Sequence, residues 1–152
     1  MLLTDFLRDS LIFTDLHPRD MPDCLRMMVE AASKAGAIGD PEDALARLLE
    51  RERTMSTGMG GGVAVPHAKT AKVPRMVVAL GLVPDGIDFK SIDGRPVHVV
   101  FLLLGPPDST RLHVDLLARI AFLVKIPGVL NAIRGSARPA EIMTAIRAVP
   151  RS

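Results

Sequence analysis

The residues best suited to chemistry lie in one stretch, Ser56-Thr57-Gly58-Met59-Gly60-Gly61-Gly62-Val63-Ala64-Val65-Pro66-His67. Its glycines allow positive φ and close approach to the main chain, Val63 and Val65 read as a short strand, and Pro66 stiffens the exit. That reading puts His67 at a strand end. An imidazole with an ordinary pKa of about 6.5 is a competent nucleophile near pH 7, and phosphoryl transfer asks mainly for positioning and charge stabilisation. A second histidine, His113, opens the apolar face of a later helix, where N-terminal amides and the helix dipole favour a bound anion. Arg51, at the end of the helix before the glycines, is the cation chosen to pair with phosphate oxygens, with Arg53 as its competitor. Residue types alone leave the bland readings open. A Gly-rich turn ending in Pro-His also makes a tight strand entry, and a lone histidine on an apolar helix face is also a hydrogen-bonded core residue. Arg51 and Glu52 also suit a solvated helix-end pair, and Thr57 suits a turn as well as a phosphate contact.

The elements that must position these residues follow from periodicity and punctuation. Leu11 to Thr14 reads as a strand after a short helical turn. Leu25, Met28, Val29 and Ala32 recur at helical spacing and end at Gly36. Asp40-Pro41 caps a second helix with Leu45, Leu48 and Leu49 on its stripe, running to about Arg53. Met76 to Val83 and Val97 to Leu104 are continuous apolar runs of strand length, as expected of strands covered on both faces. Between them Pro84-Asp85-Gly86 and Asp93-Gly94-Arg95-Pro96 form turns without a helix, so the sheet is mixed. Gly105 to Ser109 ends the second run, with Asp108 or Ser109 as cap of a helix whose stripe is His113, Leu116, Leu117, Ile120 and Val124. Pro127-Gly128 breaks it, Val129 to Ile133 forms a short piece, and Arg138-Pro139 opens a last helix with Ile142, Ala145 and Ile146 inward. The fold class is α/β: a three-layer α/β/α sandwich with a small mixed β-sheet.

Size and composition bound the function. A chain of 152 residues fits one domain, 1–152, and 48% hydrophobic with 24% charged residues suits a globular protein. Net charge is +2 with no dense basic run, and there is no Trp, no Tyr and little Phe for base stacking, so nucleic acid is not indicated. Cys24 is the only cysteine and sits off the main stripe of its helix. This excludes an internal disulfide and suits the cytoplasm. Acids interrupt the N-terminus too early for a signal-peptide core, and no apolar run approaches the ~20 residues of a membrane helix. His17 and His98 read as structural, and the four histidines lack metal-ligand spacing. Gly58, Gly60 and Gly62 miss the dinucleotide-binding spacing because Val63 occupies the last glycine position.

Arg51-Glu52, Ser56-Thr57-Gly58 and Gly62-Val63-Ala64-Val65-Pro66-His67 resemble the fructose, mannitol and nitrogen type IIA domains of the bacterial phosphoenolpyruvate-dependent phosphotransferase system (PTS EIIA type 2). So do Asp93-Gly94-Arg95-Pro96-Val97, Phe101 to Leu104, and His113 leading Leu116-Leu117-Ala118-Arg119-Ile120-Ala121, in order and approximate spacing. The resemblance covers almost the whole chain and, with no IIB or membrane IIC segment seen, is nearest the stand-alone nitrogen-regulatory type. It implies a phosphocarrier that takes a phosphoryl group from the phosphohistidine of an HPr-like protein. The group then goes to a IIB-type acceptor in sugar transport, or its presence is a regulatory signal. By motif position His67 is the phosphoacceptor, assisted by His113 and Arg51, with Thr57 and Gly62 as loop contacts to the phosphate and no metal or organic cofactor. The rival readings are a regulatory binding module of the same fold without phosphotransfer and, farther off, a small metal-dependent hydrolase.

Overall fold

Two strands carry the sheet, and each alternates its side chains between two cores. β5 (Val77–Ile87) and β6 (Val97–Gly105) pair antiparallel, from Val77 opposite Leu104 to Ile87 opposite Val97. In this computed structural model, which describes residues 2–150, Val77, Ala79, Val83, Val100, Leu102 and Leu104 belong to one core. Val78, Leu80, Leu82, Val99, Phe101 and Leu103 belong to the other. This period of two, apolar on both sides, is why the two runs show no polar alternation in sequence.

Helices cover each face. α1 (Met21–Lys34) and α2 (Pro41–Thr54) bring Leu25, Met28, Val29, Ala44 and Leu48 to the first core. The Asp20 and Asp40 carboxylates accept the Asp23 and Asp43 amides at 2.9 and 3.1 Å, caps worth about 1 kcal/mol each. On the other face α3 (Thr110–Lys125), α4 (Val129–Arg134) and α5 (Pro139–Arg147) supply Leu116, Ile120, Leu123, Ile133, Ile142 and Ile146. The inward stripe of α3 thus runs through Leu123 in place of the expected Leu117 and Val124, which are only half-buried. Cys24 is fully buried, not off the stripe, and desolvation first, then the Asp23 charge, pushes its thiol up to about 12. It is held as an inert thiol.

The remaining strands are short. β1 (Ile12–Phe13) runs parallel to β5 at one edge, β3 (Val63–Ala64) and β4 (His67–Lys69) lie along β6, and β2 (Gly58–Gly60) pairs antiparallel with β3 at the other edge. The order is β1-β5-β6-β3-β2, with β4 also on β6, so the sheet is mixed. β3 and β4 both run parallel to β6, at Val99–Val100 and Leu103–Gly105, with Pro66 between them accepting the Leu103 amide at 3.0 Å. The glycine stretch is therefore a hairpin and not an open loop: Gly60, Gly61 and Gly62 turn it with φ of +87°, +66° and +85°. An L side chain at any of the three would be strained. The expected turn at Pro84-Asp85-Gly86 is an irregularity inside β5, where the register shifts between Leu82 and Ile87. Among the described residues no helix is long and apolar enough to cross a membrane.

Candidate functional site

His67 opens β4 immediately after Pro66. Its Nδ1 lies 2.8 Å from the Val65 carbonyl, and a carbonyl only accepts, so Nδ1 carries the proton and Nε2 keeps the free lone pair. The ring is half-buried, and desolvation is the main cause holding its pKa below the ordinary value. The Val65 hydrogen bond and the Glu52 charge oppose this shift, while the Arg51 and Lys69 charges add to it. A neutral imidazole with a fixed tautomer is the nucleophilic form.

His113, in the first turn of α3, lies with its ring centroid 6.1 Å from that of His67 and an interplanar angle of 51°. It is 4% exposed, and neither ring nitrogen has a hydrogen-bond partner. Desolvation, then the nearby His67 and Lys69 charges, pushes its pKa down to about 4, so it is neutral at pH 7. Its seat depends on Gly105, the last residue of β6: a Cβ there would come 2.9 Å from His113 Nε2 and 2.6 Å from Ser109 Oγ. The α3 start therefore rests directly on bare backbone. A buried polar ring with no partner costs on the order of 1–3 kcal/mol, which makes its position the first thing here that packing does not explain.

Arg51 leaves the last turn of α2 and lines the two hollows that meet at His67. Its Nη1 donates to the Met55 carbonyl at 3.0 Å and lies 3.3 Å from Thr54 Oγ1. Arg53 lines a different hollow, with Arg19 and Lys90. Thr57 lines the second hollow at His67, but its hydroxyl donates to the Glu52 carboxylate, which also accepts the Thr57 amide at 3.2 Å. Glu52 is buried, so it is an internal brace between α2 and the hairpin and no solvated partner of Arg51. Gly62 stands apart: its carbonyl accepts the His98 and Val99 amides, and its Cα faces Pro96 and His98. The structure thus brings His67, His113, Arg51 and Thr57 together and leaves Gly62 at the hairpin turn.

The parts played by three residues escaped the sequence reading. Lys69, two residues beyond His67 on the same strand, lines the hollow shared by His67, His113 and Arg51 and donates to the Thr110 hydroxyl. A period-two reading from His67 finds it, once β4 is known to be a strand. Glu52 lies four residues after buried Leu48, which puts it on the inward side of α2. Gly105 carries no local signal, because its role is set by a contact with α3. Among the described residues no group of three or more His, Cys, Asp or Glu side chains converges as a metal site, so the hydrolase alternative lacks a ligand set.

Chemically, the hollow offers a neutral nitrogen nucleophile flanked by a guanidinium, an ammonium and a second imidazole free to donate or accept. Residues 5–149 match the sequence model of the family described as "Phosphoenolpyruvate-dependent sugar phosphotransferase system, EIIA 2". A nitrogen regulatory protein of Bradyrhizobium diazoefficiens is 34% identical over 151 residues, 99% of this chain and 97% of that protein. The fructose-specific EIIABC component of the Bacillus subtilis PTS is 34% identical over 124 residues, 82% of this chain, and the match spans only 20% of its length. Among solved structures, nitrogen regulatory protein IIA-Ntr from Neisseria meningitidis has a TM-score of 0.86 at 24% identity, with 93% of this chain and 97% of that one covered. The mannitol enzyme IIA of Escherichia coli, solved in complex with phosphorylated enzyme IIB, gives 0.78 at 17% identity, with 94% and 99% covered. At these identities the two structures bear on the fold alone, an α/β sandwich shared with PTS IIA domains.

Proposed function

The chain belongs to the EIIA type 2 family of the phosphoenolpyruvate-dependent sugar phosphotransferase system, and on that premise we propose that it is a phosphohistidine carrier in which His67 Nε2 is the acceptor. We read 1–152 as one EIIA domain serving that end. The observation that carries the reading is the Val65 carbonyl on Nδ1, which commits the lone pair to Nε2 beside a buried histidine with no partner.

The transfer is a displacement at phosphorus. The Nε2 lone pair forms the new N–P bond while the donor's N–P bond breaks, and that electron pair leaves with the donor imidazole. The Nδ1 proton stays on His67 against Val65, leaving a cationic ring beside the phosphoryl oxygens. Arg51 takes those oxygens with charge-assisted hydrogen bonds. His113 gains in the loaded state the partner it lacks in the free one: a phosphoryl oxygen accepts a hydrogen bond from its ring N–H, so its stabilisation arrives with the charge it serves. Thr57 acts through the main chain, its bonds to Glu52 fixing the hairpin under His67.

The donor is an HPr-like phosphocarrier, and the acceptor is a IIB domain or a regulated target. An apolar edge suits such docking: Val114, on α3, lines the hollow at His67 and is 60% exposed. The E. coli IIA of the solved mannitol complex docks a phosphorylated IIB, and its fold is shared here. The test is intact mass after incubation with phosphoenolpyruvate, the first enzyme of the system and HPr, alongside His67→Ala. One acid-labile phosphate on the wild type and none on a folded His67→Ala is expected. No phosphate on either, with HPr controls active, refutes the carrier and leaves a regulatory binding module; an unfolded His67→Ala marks a structural histidine.

A further inference from the structure

We infer that Lys69 is a second phosphoryl-binding cation of this site, one whose ammonium leaves the Thr110 hydroxyl for the phosphoryl group once His67 is loaded; this rests on the carrier reading above. Lys69 and His67 are two residues apart on β4, so their side chains leave the same face of the strand, with Cα atoms about 6.5 Å apart. A four-carbon stem spans that distance. Both residues line the hollow that also holds His113 and Arg51.

The present partner of Lys69 is a neutral hydroxyl on the first residue of α3, at an exposed position. The register explains how the two meet. Lys69 pairs with Gly105, whose missing side chain lets the start of α3 settle onto the sheet and brings Thr110 within reach. A phosphoryl oxygen is a stronger competitor, because it meets the ammonium with an opposite charge that a neutral hydroxyl cannot supply. Arg51 is less free to move, since part of its fork is already spent on the Met55 carbonyl. The compact ammonium of Lys69, with three donors on a flexible stem, is suited to changing partners. After the larger effects of desolvation, its charge already helps hold both His67 and His113 below their ordinary pKa.

The test equilibrates wild type, Lys69→Met, Lys69→Arg and Thr110→Val with a fixed ratio of phospho-HPr to HPr and reads the phosphorylated fraction by intact mass. Lys69→Met is expected to lower the phosphorylation equilibrium constant about tenfold, and Lys69→Arg to restore most of it. Thr110→Val removes the competing acceptor and should raise the constant about threefold. A Lys69→Met constant within about twofold of wild type overturns the inference. So does a Thr110→Val that falls as far as Lys69→Met, because the pair would then be a structural tie. If the wild type takes no phosphate at all, the carrier reading fails and this inference fails with it; phosphate on the wild type with an indifferent Lys69 defeats the inference alone.

Discussion

A histidine stands at each end of β6, His98 within the strand and His113 on α3 against its last residue, and the two are treated in opposite ways. At its start His98 gives Nδ1 to the Val83 carbonyl at 3.0 Å and packs against the bare Gly86. At its finish His113 packs against the bare Gly105, yet both of its nitrogens are buried without a partner. Both rings exploit a glycine for close approach, so packing is met equally. Only polarity differs: one end closes its hydrogen bonds within the fold, and the other keeps them open beside His67. An unsatisfied buried ring of this kind is retained at a cost, and on the carrier reading the missing partner is the phosphoryl group.

The comparison breaks first under acid. An unfolded histidine takes up a proton near pH 6.5, whereas folded His113 refuses one until about pH 4, so the unfolded state binds more protons in between. Stability is full above pH 6.5 and falls as pH drops toward 4, by about 3 kcal/mol from this residue. Denaturant midpoints for wild type and His113→Leu across that window check it: the difference between the two proteins should grow as the pH falls. A constant difference would mean that His113 titrates normally. At pH 7 the same variant should transfer phosphate about a hundredfold more slowly, as loss of a transition-state donor does, while gaining about 1 kcal/mol of stability. Stopped-flow or quenched transfer from phospho-HPr reads the first and urea unfolding the second. Loss of stability with unchanged transfer would return His113 to the core. The smallest effect belongs to the satisfied end: His98→Leu orphans the Val83 carbonyl and should cost about 1 kcal/mol with transfer rates unaltered. A slowed transfer in that variant would show that the two ends of β6 are coupled.

Legibility followed the length of the signal. β5 and β6 announced themselves because long stretches buried on both faces, residues 77–83 and 99–105, make unbroken apolar runs. α1 and α2 did so because Gly36 stops the one and Asp40 caps the other. β2 and β4 were hidden. Three residues cannot display a period of two, and Gly58 and Gly60 have no side chains with which to display it. Missing β4 as a strand also hid Lys69, whose relation to His67 is simply that of alternate residues. The candidacy of His67 and Arg51 came from the motif and its order, and the structure places both along one hollow, whereas the isolation of His113 depends on what surrounds it in space. Glu52 looked like a surface charge because only the fold reveals that Thr57 waits for it inside.

The hydrogen bond from His67 to Val65 fixes more than a tautomer. On the carrier reading, Nδ1 holds its proton before the phosphoryl group comes and after it goes, so no proton has to be traded with solvent at either step. Arrival and departure are then a single exchange of heavy atoms between two nitrogens, run forward or backward by the loading of the partners weighed against the equilibrium constant of the exchange. On the carrier reading, a site built this way passes the group either way between its neighbours, and the chain would serve as a level gauge as readily as a conduit.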